Sequence, residues 1–184
     1  MKKFLVVQIV ALVVLLCSSI NSFAELSVLN YIRATHFYTC MYNKPGEAAG
    51  LEYWATDIVN RGEEAVAESF VNCVELDIGA MNNAQFITRM YVMALNRMPD
   101  EEGLDYWIQR ANSTTKGTLM REFIGGIINS RDNHPDDDLF ANKVTVGIVY
   151  GWAQEIPDVC PTNYYSYLGV TEDLATVQAA IDQF

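Results

Sequence analysis

Asn96-Arg97-Met98-Pro99-Asp100-Glu101-Glu102-Gly103-Leu104-Asp105-Tyr106-Trp107 has an earlier echo in the same chain. It is Asn43-Lys44-Pro45-Gly46-Glu47-Ala48-Ala49-Gly50-Leu51-Glu52-Tyr53-Trp54, 53 residues upstream with no gap. An internal repeat of this length signals one supersecondary unit used twice. Leu51 and Trp54 are three residues apart, as are Leu104 and Trp107, so each pair shares one helix face. Tyr53 and Tyr106 lie about 100° further round the helix, nearer the boundary with solvent. The Trp residues read as core anchors, because apolar stripes at helical spacing usually face a core.

Outward from the repeat, the apolar spacing is helical almost throughout. Leu26, Leu29, Ile32, Phe37 and Met41 mark a first helix, ending before Pro45-Gly46. Leu51, Trp54 and Ile58 mark a second, ended by Arg61-Gly62, and Val66, Phe70, Cys73 and Val74 a third, from about Glu63 to Leu76. Asn83 is placed to cap a fourth helix, Asp100 a fifth, and Thr114 or Thr115 opens a sixth. Glu101 and Glu102 suit the first turn of the fifth, where the helix dipole favours negative charge. Pro135 to Asp138 starts a long helix reaching about Glu155, and Leu174, Val177, Ala180 and Ile181 mark the last. No alternating strand pattern is present. The expected fold class is all-α: two tandem three-helix repeat units and a C-terminal helical pair.

The start of the chain reads differently. Lys2 and Lys3 precede an apolar run, Phe4 to Leu16, of 13 residues, and Ser22-Phe23-Ala24 supplies small residues for cleavage. That pattern is a secretory signal peptide over residues 1–24, too short to serve well as a membrane anchor. The expected units are then 25–79 and 80–184, packed as one domain. Such a chain is expected in the periplasm or the medium. The formal net charge is −11. Loss of Lys2 and Lys3 makes it 10 − 23 = −13. This surface repels phosphate backbones, which argues against nucleic acid as a partner.

Cys40, Cys73 and Cys160 remain after processing. Cys40 and Cys73 fall on the first and third helices of one unit and are the preferred disulfide pair. Their loop of 33 residues would be worth about 3–4 kcal/mol in the chain-entropy model. Cys73–Cys160, Cys40–Cys160 and no bond stay open, since spacing does not fix connectivity. Cys160 would then be available for a homodimer.

Chemical motifs are sparse. No Gly-x-Ser-x-Gly elbow, His-Glu-x-x-His helix or phosphate loop occurs. His36 precedes Cys40 by four residues, a spacing that shares a helix face, although a cysteine in an oxidising compartment is more often structural. The densest polar cluster is Asp132, His134, Asp136, Asp137 and Asp138. Capping of a helix N-terminus explains it, so no cofactor is expected; a metal there would use Asp136 and Asp138, and calcium would be the ion. Tyr164, Tyr165 and Tyr167 beside Cys160-Pro161 form a candidate ligand surface.

The run Tyr91, Leu95-Asn96-Arg97-Met98-Pro99-Asp100, Gly103-Leu104-Asp105-Tyr106-Trp107 and Phe123 resembles the bacterial domain of unknown function family 4214. That family's pattern has Leu-Gly-Arg-x-Pro-Asp and Gly-Leu-x-Tyr-Trp; Asn96 stands at its usual glycine. Phe140-Ala141-Asn142-Lys143-Val144, Gly147, Tyr150 and Leu168-Gly169-Val170-Thr171 are similar to its ending. The resemblance covers about 84–184 well and the first unit more loosely. It implies a helical module of exported proteins, often beside haemolysin-type calcium-binding repeats, which this chain lacks. A remoter similarity to phycobilisome linker domains carries no function, and no catalytic residue is implied. The expected function is noncatalytic binding of an envelope or extracellular protein or glycan. The alternatives are an enzyme acting on an extracellular polymer through acids such as Asp100 and Asp105, or a self-associating structural subunit.

Overall fold

The computed structural model describes residues 22–73, 78–130, 134–154 and 169–182. Among these residues there are eight α-helices and no strand, so the expected all-α class holds. They are α1 (Ser22–Tyr42), α2 (Ala48–Arg61), α3 (Glu63–Val71), α4 (Asn83–Leu95), α5 (Glu101–Ala111), α6 (Lys116–Ile128), α7 (Pro135–Ala153) and α8 (Leu174–Ile181). A short 3-10 turn, Ile78–Ala80, precedes α4. α1 begins before the expected cleavage point at Ala24 and runs through it. No described helix is long and apolar enough to cross a membrane.

α1 is the hub. It packs against α2, α4 and α7, while α3 packs against α6 and α8 lies on α7. One core cluster joins Phe37, Cys40 and Met41 of α1 to Phe70 and Val71 of α3, to Phe86, Ile87 and Met90 of α4, and to Leu119, Met120 and Phe123 of α6. Each large side chain buried there contributes roughly 1.5–3 kcal/mol. A smaller cluster of Val146, Val170, Val177 and Ala180 seats α8.

The helix ends follow local chemistry. α4 starts with a capping box in which Asn82 accepts from Gln85 N and Gln85 answers the Asn82 backbone N–H. The cap is therefore Asn82, not Asn83, because the box needs its Gln three residues on. Asp100 accepts from Gly103 N at 2.7 Å and opens α5. Thr115 opens α6 by accepting from Thr118 N. α3 ends at Val71, short of the expected Leu76.

α1 and α4 end alike. Asn43 (φ 50°) and Asn96 (φ 54°) both take the left-handed conformation. That region excludes most side chains but tolerates Gly and Asn. Asn96 can thus stand where the family pattern has glycine. A cation then crosses to each helix end. Arg89 Nε donates to Met41 O at 2.9 Å, and Lys143 Nζ donates to Met93 O and Asn96 Oδ1, both at 2.8 Å.

Candidate functional site

The motif residues assemble around one buried ring in each copy. In the second copy Phe123 takes the edge of Tyr91 at 5.0 Å and of Trp107 at 5.4 Å. In the first, Phe70 takes Tyr38 at 5.2 Å and Trp54 at 5.3 Å. Edge-to-face pairs at these distances add about 0.5–1.5 kcal/mol beyond area burial. The glycines of Gly-Leu-x-Tyr-Trp let this happen. A methyl group at Gly50 would lie 2.6 Å from Tyr38 Oη, and one at Gly103 would lie 2.7 Å from Tyr91 Oη. The tyrosine hydroxyl rests on the helix backbone where only glycine leaves room.

Trp54 and Trp107 are partly buried rather than core residues. Leu51 is fully buried, whereas α5 buries no residue completely, Leu104 included. Tyr53 and Tyr106 stand out into solvent, 61% and 62% exposed, each edge-on to its neighbouring Trp.

Beside each aromatic group lies a cleft. The larger, about 340 Å³, is lined by Tyr91, Arg97, Trp107, Phe123, Gly126 and His134, with Asp136 and Asp137. The smaller, about 230 Å³, is lined by Tyr38, Tyr42, Lys44, Trp54, Phe70 and Cys73, with Glu47 and Gly50. Tyr38, Lys44, Trp54, Phe70 and Cys73 precede Tyr91, Arg97, Trp107, Phe123 and Gly126 by the same 53 residues. Spacing analysis singled out the motif rings but missed the clefts, whose walls come from separate helices.

The electrostatics of the larger cleft centre on Arg97. Its Nη2 donates to Asp136 Oδ2 at 2.7 Å and its Nε to both carboxylate oxygens. Asp100, three residues on, is a distant second at 3.8 Å. Hydrogen bonding to Asp136 raises the Arg97 pKa above its ordinary value. The guanidinium also lies over the Tyr91 ring at 5.0 Å. Burial pushes the Tyr91 phenol up, opposed by hydrogen bonding from Trp107. In the smaller cleft Lys44 Nζ sits 5.6 Å from the Tyr42 ring centre.

Other expected site residues do not converge. The Cys40–Cys73 disulfide is not made: both are free thiols. Cys40 is fully buried in the core, where burial drives its thiol pKa far above the usual range. Cys73 lies beyond the end of α3, partly exposed on the smaller cleft. His36 packs on Phe140 at 5.7 Å, and desolvation lowers its pKa to about 4. A neutral thiol and a poor base do not make a nucleophilic pair. Among the described residues no group of His, Cys, Asp and Glu is arranged to hold a metal. Asp136 is engaged by Arg97, and Asp138 is exposed on the first turn of α7. Cys160, Tyr164, Tyr165 and Tyr167 lie outside the described residues.

The architecture is that of a helical bundle with a cleft beside the aromatic group of each motif copy. Residues 67–134 match the family described as a domain of unknown function (DUF4214), the family that Gly-Leu-x-Tyr-Trp resembles. The match takes in the second motif copy; the first copy and the segment from Phe140 onward lie outside it. No curated protein and no solved structure matches the chain.

Proposed function

We propose that the chain is an exported, noncatalytic helical module that binds an envelope or extracellular protein or glycan. The observation that carries this reading is the pair of protruding rings, Tyr53 and Tyr106, each backed edge-on by a Trp at the lip of a cleft. An exposed tyrosine ring, with few rotatable bonds, offers contact area at little cost in conformational entropy. The acids near the larger cleft are otherwise engaged: Asp136 with Arg97, Asp137 with Ser130, and Asp100 with the α5 N-terminus. That weakens the case for acid–base chemistry, which needs a carboxyl within reach of a substrate proton. The signal-like start of the sequence and the acidic balance support an extracytoplasmic setting.

The test compares the wild-type chain with a Tyr53→Ala, Tyr106→Ala double variant. Both are used as bait on envelope and secreted fractions and on a glycan array. Ligands held by the wild type and lost by the folded double variant support the proposal. Equal capture by the two, or hydrolysis of an arrayed polymer, overturns it.

A further inference from the structure

Resting on that binding reading, we infer that the outer face of α5, around Tyr106, docks a cationic segment of a partner protein. The two protruding tyrosines then differ in what they meet, and only the second takes this partner.

Comparing the two motif helices identifies the free face. The N-terminus of α2 is closed by α7, where Ala48 N donates to Gln154 Oε1 at 3.3 Å. α5 is capped by its own Asp100 and, among the described elements, packs mainly on α4 and α6. Glu102, Asp105, Tyr106 and Gln109 of α5 are all exposed. Residues three and four apart are neighbours on a helix. Glu102 therefore adjoins both Asp105 and Tyr106, and Glu101 adjoins Asp105. The Tyr106 ring is 62% exposed, unlike the buried Tyr91 and Phe123.

The charges on this face are unpaired. The carboxylates of Glu101, Glu102 and Asp105 make no hydrogen bond or ion pair with any described residue. The nearby cations are committed elsewhere, Arg110 to Glu122 at 2.6 Å and Arg97 to Asp136 at 2.7 Å. The helix dipole accounts for Glu101 and Glu102 in the first turn, but its effect fades before Asp105. Glu101 and Asp105 form a like-charge pair four residues apart, which weakens a helix. The first copy lacks this arrangement. Ala48 and Ala49 stand where the second copy has Glu101 and Glu102, which leaves Glu52 as the counterpart of Asp105.

That pattern selects the partner. A carboxylate only accepts, and ionised carboxylates bind charged donors most strongly. A guanidinium or ammonium group beside Glu102 would also gain cation–π attraction from the exposed Tyr106 ring. The net charge of −11 draws basic partners in and repels anionic glycans, nucleic acid and anionic lipid. A neutral saccharide could meet the ring but would leave the carboxylates uncompensated. An open helix face suits a protein segment rather than a small ion, and among the described residues no acids are grouped to hold a metal.

The probe is a fluorescent, amidated Lys/Leu dodecapeptide, with its Glu/Leu counterpart as the anionic control. Anisotropy titrations on the whole chain at low and high salt give affinity, and carbodiimide coupling of the peptide amines maps the contact. The expected result is one site, weakened by salt, with the cross-link in the tryptic fragment 98–110. Glu102→Gln with Asp105→Asn should weaken binding about tenfold, and Tyr106→Ala about threefold. Asp138→Asn with Glu172→Gln removes the same charge from exposed positions elsewhere. That pair, and separately Tyr53→Ala, should change affinity less than about twofold. Circular dichroism checks that each variant keeps its helices. Equal weakening by the distant pair or by Tyr53→Ala, or cross-linking elsewhere, overturns the assignment to α5. Failure of the Lys/Leu peptide to bind, or tighter binding of the Glu/Leu peptide or of an arrayed glycan, overturns the cationic partner. If the Tyr53, Tyr106 bait comparison still shows specific capture in that case, the binding reading stands; if it shows none, both fall.

Discussion

Replacing Gly50 by Ala tests the account of the repeat motif most directly. The new methyl carbon would sit 2.6 Å from Tyr38 Oη. A relaxed C···O contact needs about 3.3 Å, so the shortfall is roughly 0.7 Å. Tyr38 does not yield easily, because its ring is held edge-on to Phe70 at 5.2 Å and near Tyr42 at 5.8 Å. Overpacking of this kind costs about 1–3 kcal/mol. Against it stands the helix preference for Ala over Gly, about 0.5–1 kcal/mol. The single variant should lose up to roughly 2.5 kcal/mol, the difference between those terms. Tyr38→Phe removes the hydroxyl, and the next atom, Cζ, lies at 3.6 Å, an ordinary contact. In that background Gly50→Ala should become neutral or stabilising. The coupling energy across the cycle is expected to be about 1–3 kcal/mol. Urea denaturation of the four proteins, followed by circular dichroism and tryptophan fluorescence, measures it. Additivity within about 0.5 kcal/mol would refute the reasoning. The Gly103, Tyr91 cycle should show incomplete rescue, because Asp100 Oδ1 stays 3.0 Å from the new methyl.

Three further predictions follow from named groups. Desolvation lowers the Lys143 pKa from 10.5 to about 7, so the unfolded chain holds the extra proton between those values. Stability should therefore climb with pH from about 7 towards 10.5 and level off below; Lys143→Met should remove that part of the slope, and an unchanged wild-type-minus-variant difference across this window would contradict it. Asn96 holds φ 54°, so Asn96→Ala should cost about 1–2 kcal/mol and exceed the cost of Asn96→Gly; thermal melts giving the reverse order would refute the left-handed cap. In the native protein N-ethylmaleimide should label Cys73 well before Cys40, which is fully buried. A Cys40–Cys73 linked peptide in a non-reducing digest would overturn the free-thiol arrangement.

What the sequence made legible was local. Period 3.6 located the helices, and Asp100 and Thr115 announced their starts because an N-cap is a contact within one turn. Asn82 and Asn83 are adjacent and chemically identical, so only the partner Gln85 separates them. The disulfide failed for a different reason. Spacing along helices says which residues share a face, not where two faces point once the helices pack. Cys40 turns into the core, within reach of the charges on Lys143 and Arg89, while Cys73 falls past the last turn of α3. The clefts were illegible on the same grounds. Tyr91 and Asp136 are far apart in sequence and share a wall only because α7 folds back to bring Asp136 against Arg97.

The burial of the two motif copies shows how one dodecapeptide acquires two roles. Leu51 is fully buried because α7 crosses α2 closely. A methyl group at Gly151 of α7 would lie 2.9 Å from Leu51 Cδ1 and would collide with Tyr31 Oη. Among the described elements, α5 packs on α4 and α6 and has no close third neighbour of this kind. Leu104, Trp107 and Ile108 are accordingly only partly buried, and α5 is secured at its far end by Arg110 gripping Glu122 at 2.6 and 2.5 Å. Divergence of the halves therefore lies in what covers them rather than in a covalent staple. Covering α2 commits Leu51 of the first copy to the core. Leaving α5 at the surface keeps Leu104, Trp107 and Ile108 of the second copy only partly buried.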